Sequence, residues 1–560
     1  MARYLIIGGV AGGATTAARL RRRDENAEII IFERGGHVSY ANCGLPYYLG
    51  GVIPDRNRLF VQTPAGFKKR FNIDVRVGTE VTAISRENKT ITVKDLGTGK
   101  ITSEPYDKLV LSPGAEPVRP PIPGIDSEGI FTLRNVSDTD NIKRYLNDKK
   151  PTSAVIVGGG FIGLEMAKNL RNLAMKVTVV EMADQVMANL DYEIASEVHQ
   201  HLTVHGVELL LKDGVKSFEK TKDSIVTRLG SGREVAAAMV ILSIGVRPDT
   251  KLARESGLDI GQRGGISVNE YLQTSDPDIY AVGDAIEFRH PLTEQSTITF
   301  LAGPANKQGR IAADNIVNGN RKAYTGSIAT AVAKIFDLTV ASTGASEKLL
   351  KSAGIPYVAS ITHSASHATY YPGAVQMSMK LLFSPDIGVV LGAQIAGFDG
   401  VDKRIDVISS VIGSGGTVED LTEFDHAYAP PYSSAKDPVN IAGFVAENIL
   451  VGLAHIIHWH ELRGLDQSDT MLIDVRTPGE FQGGTIPGAV NIPVDDLRER
   501  LGSIPKDKKI VIFCAVGLRG YVAGRMMLQS GFTSVRNLSG GYKTYSLAMG
   551  SLNALGGTCC

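Results

Sequence analysis

The sequence predicts an α/β protein: two copies of a strand–glycine turn–helix–strand unit, then an α+β region, then a smaller C-terminal α/β region. Three observations predict it. Two apolar runs about 150 residues apart, 4–7 and 154–157, each enter a glycine-rich turn. Each turn opens a helical stretch and a second apolar run that ends on an acid, Glu33 in one copy and Glu181 in the other. Beyond about Tyr324 the glycine-stopped runs give way to longer ones, and after Leu465 an α/β pattern starts afresh.

In order, residues 4–7 read as a strand, 14–23 as a helix and 28–32 as a strand; the second copy uses 154–157, 164–173 and 176–180. Three more buried-strand patterns stop at Gly114, Gly245 and Gly283-Asp284. Residues 334–341, 375–383 and 389–397 read as antiparallel strands, with helices at 402–413 and 418–422 and a terminal helix over 438–457. The last region reads as strands 471–475 and 510–514 with a helix over 519–530.

Composition excludes several function classes. The 560 residues carry 59 Lys+Arg against 59 Asp+Glu, a formal net charge of zero, so no nucleic-acid footprint is expected. With 43% apolar and 21% charged residues the chain is globular, not disordered. The 61 glycines predict many tight turns and close backbone approaches. Cysteines occur only at 43, 514, 559 and 560, too few and too badly spaced for a disulfide scaffold or a Cys-rich zinc site. A reducing, cytoplasmic setting fits, and no metal is expected. Gly8, Gly9, Gly12 and Gly13 break the N-terminal apolar stretch, and Glu447, Asn448 and His455 interrupt 441–457, so no membrane segment is expected.

Gly158-x-Gly160-x-x-Gly163, with Phe161 and Ile162 inside it, follows a strand and opens a helix. Such glycines let backbone approach a pyrophosphate, which the helix N-terminus attracts. Glu181 follows Gly158 by 23 positions, suits ribose hydroxyls and repels a 2′-phosphate, so NADH is favoured over NADPH. Gly8-Gly9-Val10-Ala11-Gly12-Gly13 departs from the rule at Val10, but Glu33, 25 positions after Gly8, restores a dinucleotide reading. Two such sites suggest two different cofactors. Gly283-Asp284 would set a carboxylate near the phosphate–ribitol region of one of them, or else forms a plain turn.

Cys43 lies among Asn42, Gly44 and Pro46, which mark a turn or helix start, where a thiol's pKa is expected to fall. With no second cysteine nearby, its partner sulfur must come from a substrate, or the thiol must cycle through sulfenic acid. Cys514 ends a strand and starts the loop to Arg519, whose successive N–H groups suit an anion such as a persulfide; a buried structural cysteine is the plain alternative. Cys559-Cys560 reads as a frayed tail with adventitious thiols.

These motifs carry a resemblance. With Tyr40-Ala41-Asn42-Cys43-Gly44-Leu45-Pro46-Tyr47, Ala281-Val282-Gly283-Asp284 and Ala427-Tyr428-Ala429-Pro430-Pro431-Tyr432-Ser433, residues 1 to about 445 resemble the flavin-dependent pyridine nucleotide–disulfide oxidoreductases. The branch resembled is that of the coenzyme A-disulfide and CoA persulfide (polysulfide) reductases. Asp474-Val475-Arg476, Glu480-Phe481, the stretch 486–493 and the Cys514 loop resemble a rhodanese domain, departing at Thr485, where that family often has histidine.

The resemblance implies two Rossmann-like domains, one for FAD (1–150 and 276–323) and one for NAD(P)H (151–275). An α+β dimerisation domain (324–445), a helix or linker (446–464), a rhodanese domain (465–552) and a flexible tail (553–560) follow. FAD would lie on Gly8 to Gly13, Glu33 and Asp284, and NADH on Gly160, Gly163 and Glu181; Arg34, Gly114, Gly245, Gly283 and Ala302 complete the cofactor-binding set. Cys43 would form a mixed disulfide with CoA, held by Thr15, Arg19, Arg22, Ser39, Asn42, Asn306 and Lys436, although Arg19 and Arg22 read equally as a solvated helix face. Tyr428 and one of Tyr370 and Tyr371 would reach the site from the other subunit of a homodimer, although the adjacent tyrosines read equally as loop packing. Cys514, with Arg519 among the substrate-binding residues, would relay sulfane sulfur to CoA.

The activity implied is NADH-dependent reduction of CoA persulfide, polysulfide or CoA disulfide. Two alternatives stay open: an NADH oxidase or peroxidase using a Cys43 sulfenic acid, and a sulfur-carrier or redox-sensing module. Ala11 counts against the peroxidase, because family peroxidases carry histidine in the first glycine turn.

Overall fold

The computed structural model describes residues 1–555; Cys559 and Cys560 fall outside the described residues. The chain folds into two compact units, one from Met1–Met182 and Gly206–Ala329, the other from Ala183–His205 and the chain from Thr330 onward.

The first unit holds two five-stranded parallel sheets. In one, Arg3–Ile7 lies between Glu28–Glu33 and Lys108–Leu111, with Asp74–Val77 and Ile279–Ala281 at the edges. In the other, Ser153–Val157 lies between Lys176–Val180 and Met239–Leu242, with Val207–Leu210 and Ile130–Thr132 at the edges. The second sheet thus begins upstream of residue 151. The central strands of both sheets are apolar because both faces are covered: helices pack on one, and a three-stranded antiparallel sheet, 79–105 in the first case and 215–237 in the second, shares the core on the other. Each central strand has its neighbours reached in opposite directions along the sheet, which opens a crevice at its C-terminal end. Both glycine turns and their helices, Ala11–Arg23 and Phe161–Asn172, start there.

Only glycine permits these turns. A Cβ on Gly13 would lie 1.9 Å from the Gly8 carbonyl oxygen, and one on Gly163 2.1 Å from that of Gly158. Each helix can therefore press against its own strand end, leaving its first N–H groups at the crevice.

The second unit carries a five-stranded antiparallel sheet in the order Ala331–Ile335, Leu338–Gly344, Val390–Gly397, Gln376–Phe383, Val358–Ala365. The expected single strand over 334–341 is a hairpin instead, bent at Phe336–Asp337, where Phe336 takes a φ of +55°. The expected helix over 438–457 stops at Leu450. Gly452, at φ +71°, turns the chain, and Ile456–Ile457 becomes an edge strand of the C-terminal parallel sheet. That sheet, ordered Ile456–Ile457, Val535–Leu538, Lys509–Phe513, Thr470–Asp474, Val490–Asn491, therefore begins before residue 465.

One ionic cluster lies in the core of this unit. Lys380, 1% exposed, contacts Asp191 at 3.0 Å, Glu193 at 2.6 Å and Glu347 at 2.7 Å. An ion buried this deeply persists only when fully paired. Among the described residues no helix is long and apolar enough to cross a membrane.

Candidate active site

The two glycine turns are built alike. The Gly9 N–H donates to Glu33 Oε2 at 2.9 Å, and the Gly159 N–H to Glu181 Oε2 at 2.7 Å. The acid ending each second strand thus stands over its turn, where ribose hydroxyls of a dinucleotide would meet it. A Cβ on Gly160 or Gly245 would touch nothing within 4 Å, so space is open beside the second turn. Asp284 stands in the one-turn helix Gly283–Ala285, whose Gly283 N–H donates to Gln308 Oε1 at 2.7 Å. Burial pushes the Asp284 carboxyl up to about 6, as befits an acceptor enclosed without enough donors. These features fit FAD on the first turn with Asp284 toward its ribityl hydroxyls, and a nicotinamide dinucleotide on the second. Arg34 is committed to carboxylates, 2.8 Å from Glu116 and 3.7 Å from Asp249. Ala302 opens the helix Ala302–Asn318, and Gly114 takes a φ of +78°.

Cys43 is a free, exposed thiol in the short helix Asn42–Gly44, just before Leu45–Leu49. The expected fall in its pKa is not found. Enclosure by surrounding protein, then the Glu165 and Asp284 carboxylates, push the thiol up. A helix of under two turns has little dipole to oppose them. Tyr47 Oη donates to Glu165 Oε1 at 3.1 Å, and Lys168 Nζ lies 5.2 Å from the Tyr47 ring centre. Burial pushes Glu165 up as well, with Tyr47 and Lys168 opposing. Glu165 and Lys168 went unassigned in the sequence; the available signal was their position on the face of the helix that Gly163 opens.

Thr15 and Asn306 are brought together, the Thr15 hydroxyl donating to Asn306 Oδ1 at 2.5 Å. Arg19 is bidentate to Asp314 at 2.8 and 3.1 Å, whereas Arg22 is exposed, so the two arginines are not equivalent. Ser39, at φ +46°, donates its N–H to the Gly9 carbonyl, and Asn42 is exposed.

In the second unit, Tyr370 and Tyr428 join through their hydroxyls at 2.9 Å, 58 residues apart in sequence and both exposed. Tyr371 lies edge-on to His367 at 5.8 Å instead, and Lys436 is exposed. Buried Arg404 fastens both tyrosine loops, donating to the Ser366 carbonyl at 2.8 Å and to Asp437 Oδ2 at 2.9 Å.

Cys514 is buried at the end of Lys509–Phe513 and accepts the Gly517 N–H at 3.1 Å. Gly517, at φ +110°, turns the loop into the helix Leu518–Gln529. Arg519 donates twice to Glu480, both at 2.7 Å, and its hydrogen bond leads in holding that carboxyl down to about 2. The Gly517 N–H therefore faces the sulfur, while Glu480 balances the arginine charge. Thr485 Oγ1 donates to Asp474 Oδ2 at 2.8 Å, and Asp474 pairs with Arg476 at 2.7 Å in the same cluster, so threonine serves this position structurally.

The sequence matches the family described as pyridine nucleotide-disulphide oxidoreductase over residues 2–309, its dimerisation domain over 330–438, and the rhodanese-like domain over 459–548. It is 34% identical over 449 residues to the coenzyme A disulfide reductase of Staphylococcus haemolyticus (strain JCSC1435), covering 80% of this chain and all of that one. Among solved structures it is similar to the reduced CoADR-RHD of Bacillus anthracis, with 51% identity, a TM-score of 0.96 and 98% of each chain covered. It is also similar to the NAD-dependent persulfide reductase of A. fulgidus, with 40% identity, a TM-score of 0.91, and 97% of this chain and all of that one covered.

Proposed function

The chain belongs to the pyridine nucleotide–disulphide oxidoreductase family, and from that premise we propose that it is a flavin-dependent, NADH-consuming reductase of CoA-linked sulfur with a sulfur-relaying rhodanese domain. One observation carries the reading: Cys43 is a free, accessible thiol at the dinucleotide turns, and the other cysteines lie at 514, 559 and 560 in sequence. The sulfur it exchanges with therefore arrives on a substrate. The persulfide reductase and CoA disulfide reductase likenesses both support such a substrate.

The Cys43 thiolate attacks the CoA-bound sulfur of CoA persulfide. A Cys43–CoA disulfide forms and hydrosulfide leaves; with CoA disulfide, the CoA thiolate leaves instead. FAD, when bound, supplies the conversion of NADH hydride chemistry into two-electron cleavage of that disulfide. Cleavage returns the Cys43 thiolate and releases CoA thiol, whose proton is balanced by the hydrogen that NADH gives up, so each turnover consumes one NADH and, with the first sulfur leaving as an anion, no further proton. Glu181 beside the second turn selects NADH over NADPH. Thr15, Ser39, Asn42 and Asn306 orient CoA, and Arg22, exposed where Arg19 is paired, meets its phosphates. In a homodimer, the linked hydroxyls of Tyr370 and Tyr428 act across the subunit boundary as proton donors to the departing sulfur. Cys514 takes sulfane sulfur from a donor as a persulfide, stabilised by the loop N–H groups, and passes it to the CoA thiol. Both thiols must stay reduced, which suits a reducing compartment.

Anaerobic NADH oxidation by the FAD-loaded enzyme tests this. CoA persulfide and CoA disulfide should turn over fast in the wild type and not in Cys43→Ser, with polysulfide and peroxide compared at equal concentration. Turnover with peroxide alone would replace this reading by a Cys43 sulfenic-acid peroxidase.

A further inference from the structure

We propose that His201, His205 and Asp337 form a binding site for one divalent transition ion of the zinc class, a site the sequence analysis did not anticipate. Their ligand atoms all lie within 4.8 Å of one another. His201 stands on the helix Tyr192–Val204 and His205 caps its C-terminal end, so a spacing of four sets both imidazoles on one face, ring centres 4.3 Å apart. Asp337 comes from the bend of the hairpin Ala331–Ile335 and Leu338–Gly344.

The distances and an unpartnered buried nitrogen together point to an ion. Asp337 Oδ1 lies 2.9 Å from His201 Nε2 and 3.6 Å from His205 Nε2. Zinc bonds of about 2.0–2.1 Å in tetrahedral geometry put ligand atoms roughly 3.4 Å apart, between these two values. Yet His201 Nε2 is buried and has no partner of hydrogen-bond geometry, although the Asp337 oxygen is this close. Two acceptors that share one ion would sit this close without a hydrogen bond between them.

The supporting contacts also suit metal ligands. A carbonyl oxygen can only accept, so Nδ1 of His205, 2.9 Å from the His201 carbonyl, carries the proton and its Nε2 presents a lone pair. The Phe336 ring stacks on His205 at 4.1 Å with an interplanar angle of 10°, and Phe398 lies edge-on to His201 at 5.7 Å. Both imidazoles are thereby held in place. Two imidazole nitrogens and a carboxylate oxygen form a borderline donor set that prefers zinc to magnesium or calcium. Asp337 is 68% exposed, which leaves a fourth position for water. A bound ion would fasten the helix end to the hairpin.

The test uses the full-length FAD-loaded enzyme, stripped by a chelator and dialysed against limiting Zn²⁺. Because thiolates are themselves zinc ligands, the zinc-edge X-ray absorption first shell is read alongside the stoichiometry. One ion per chain is expected in a nitrogen–oxygen shell at about 2.0–2.1 Å. His201→Ala/His205→Ala and Asp337→Asn should each weaken binding about tenfold or more, with NADH turnover unchanged. Asp337→Asn alters only an exposed side chain, so the result does not depend on the histidine variant folding. Equal affinity in wild type and Asp337→Asn, or a shell of sulfur alone at about 2.3 Å, would overturn the site.

Discussion

Tyr47 donates its hydroxyl to Glu165 at 3.1 Å, tying the segment that carries Cys43 to the helix opened by the second glycine turn. That bond holds a carboxylate where it raises the Cys43 pKa. Without its cofactor, then, the thiol is a poor nucleophile at neutral pH.

Glu165→Gln removes the charge and keeps an acceptor for Tyr47. The pH profile of Cys43 alkylation by iodoacetamide in the cofactor-free protein should move to lower pH, with the fold unchanged. An unmoved profile would leave enclosure and Asp284 as the causes.

The Arg519–Glu480 pair makes a different prediction. Arg519→Ala removes two charged hydrogen bonds that steady the Cys514 loop. A charge-assisted bond contributes about 1.5–3 kcal/mol, so sulfur transfer from thiosulfate to CoA should slow by about 10- to 100-fold. NADH oxidation with preformed CoA persulfide should stay unchanged, since that route bypasses Cys514.

What the sequence made legible was local chemistry. The glycine turns, their closing acids and both cysteine loops are contiguous, and backbone constraint writes them into short motifs. Tyr47 and Glu165 stand 118 residues apart, and Asp337 stands 132 residues beyond His205, so no spacing rule joins them. The Cys43 environment was misread because a neighbouring helix start is visible in sequence, whereas two carboxylates brought in by folding are not. The strand expected over 334–341 concealed a bend because Phe336 at φ +55° lacks the usual glycine or asparagine signal.

In the proposed function cofactor choice rests on Glu181, held over the second turn by the Gly159 N–H at 2.7 Å. Its repulsion of a 2′-phosphate is worth about 1–3 kcal/mol at a partly hydrated site. Glu181→Ser should raise kcat/KM for NADPH about 10- to 100-fold and lower that for NADH, measured with one sulfur acceptor. Unchanged discrimination would place the selecting group elsewhere.

Lys380 supplies the last prediction. Three carboxylates, two of them buried, surround its ammonium, and although burial disfavours the charge they hold the lysine above its ordinary range. Burial would raise Glu347, but Lys380 outweighs it and holds that carboxyl down to about 2. A depressed carboxyl pKa adds stability that is full above the ordinary value of 4.5 and is lost as pH falls through about 2. Lys380→Met leaves the carboxylates unpaired, so it should cost about 3–5 kcal/mol at pH 7 by urea denaturation. Measured relative to the wild type, whose buried His199 and His363 themselves cost stability as pH falls below 6.5, the variant's stability should rise on acidification from pH 7 toward pH 5, as Asp191, Glu193 and Glu347 take up protons. If both proteins show the same pH profile, the cluster is not what couples stability to protonation in this unit.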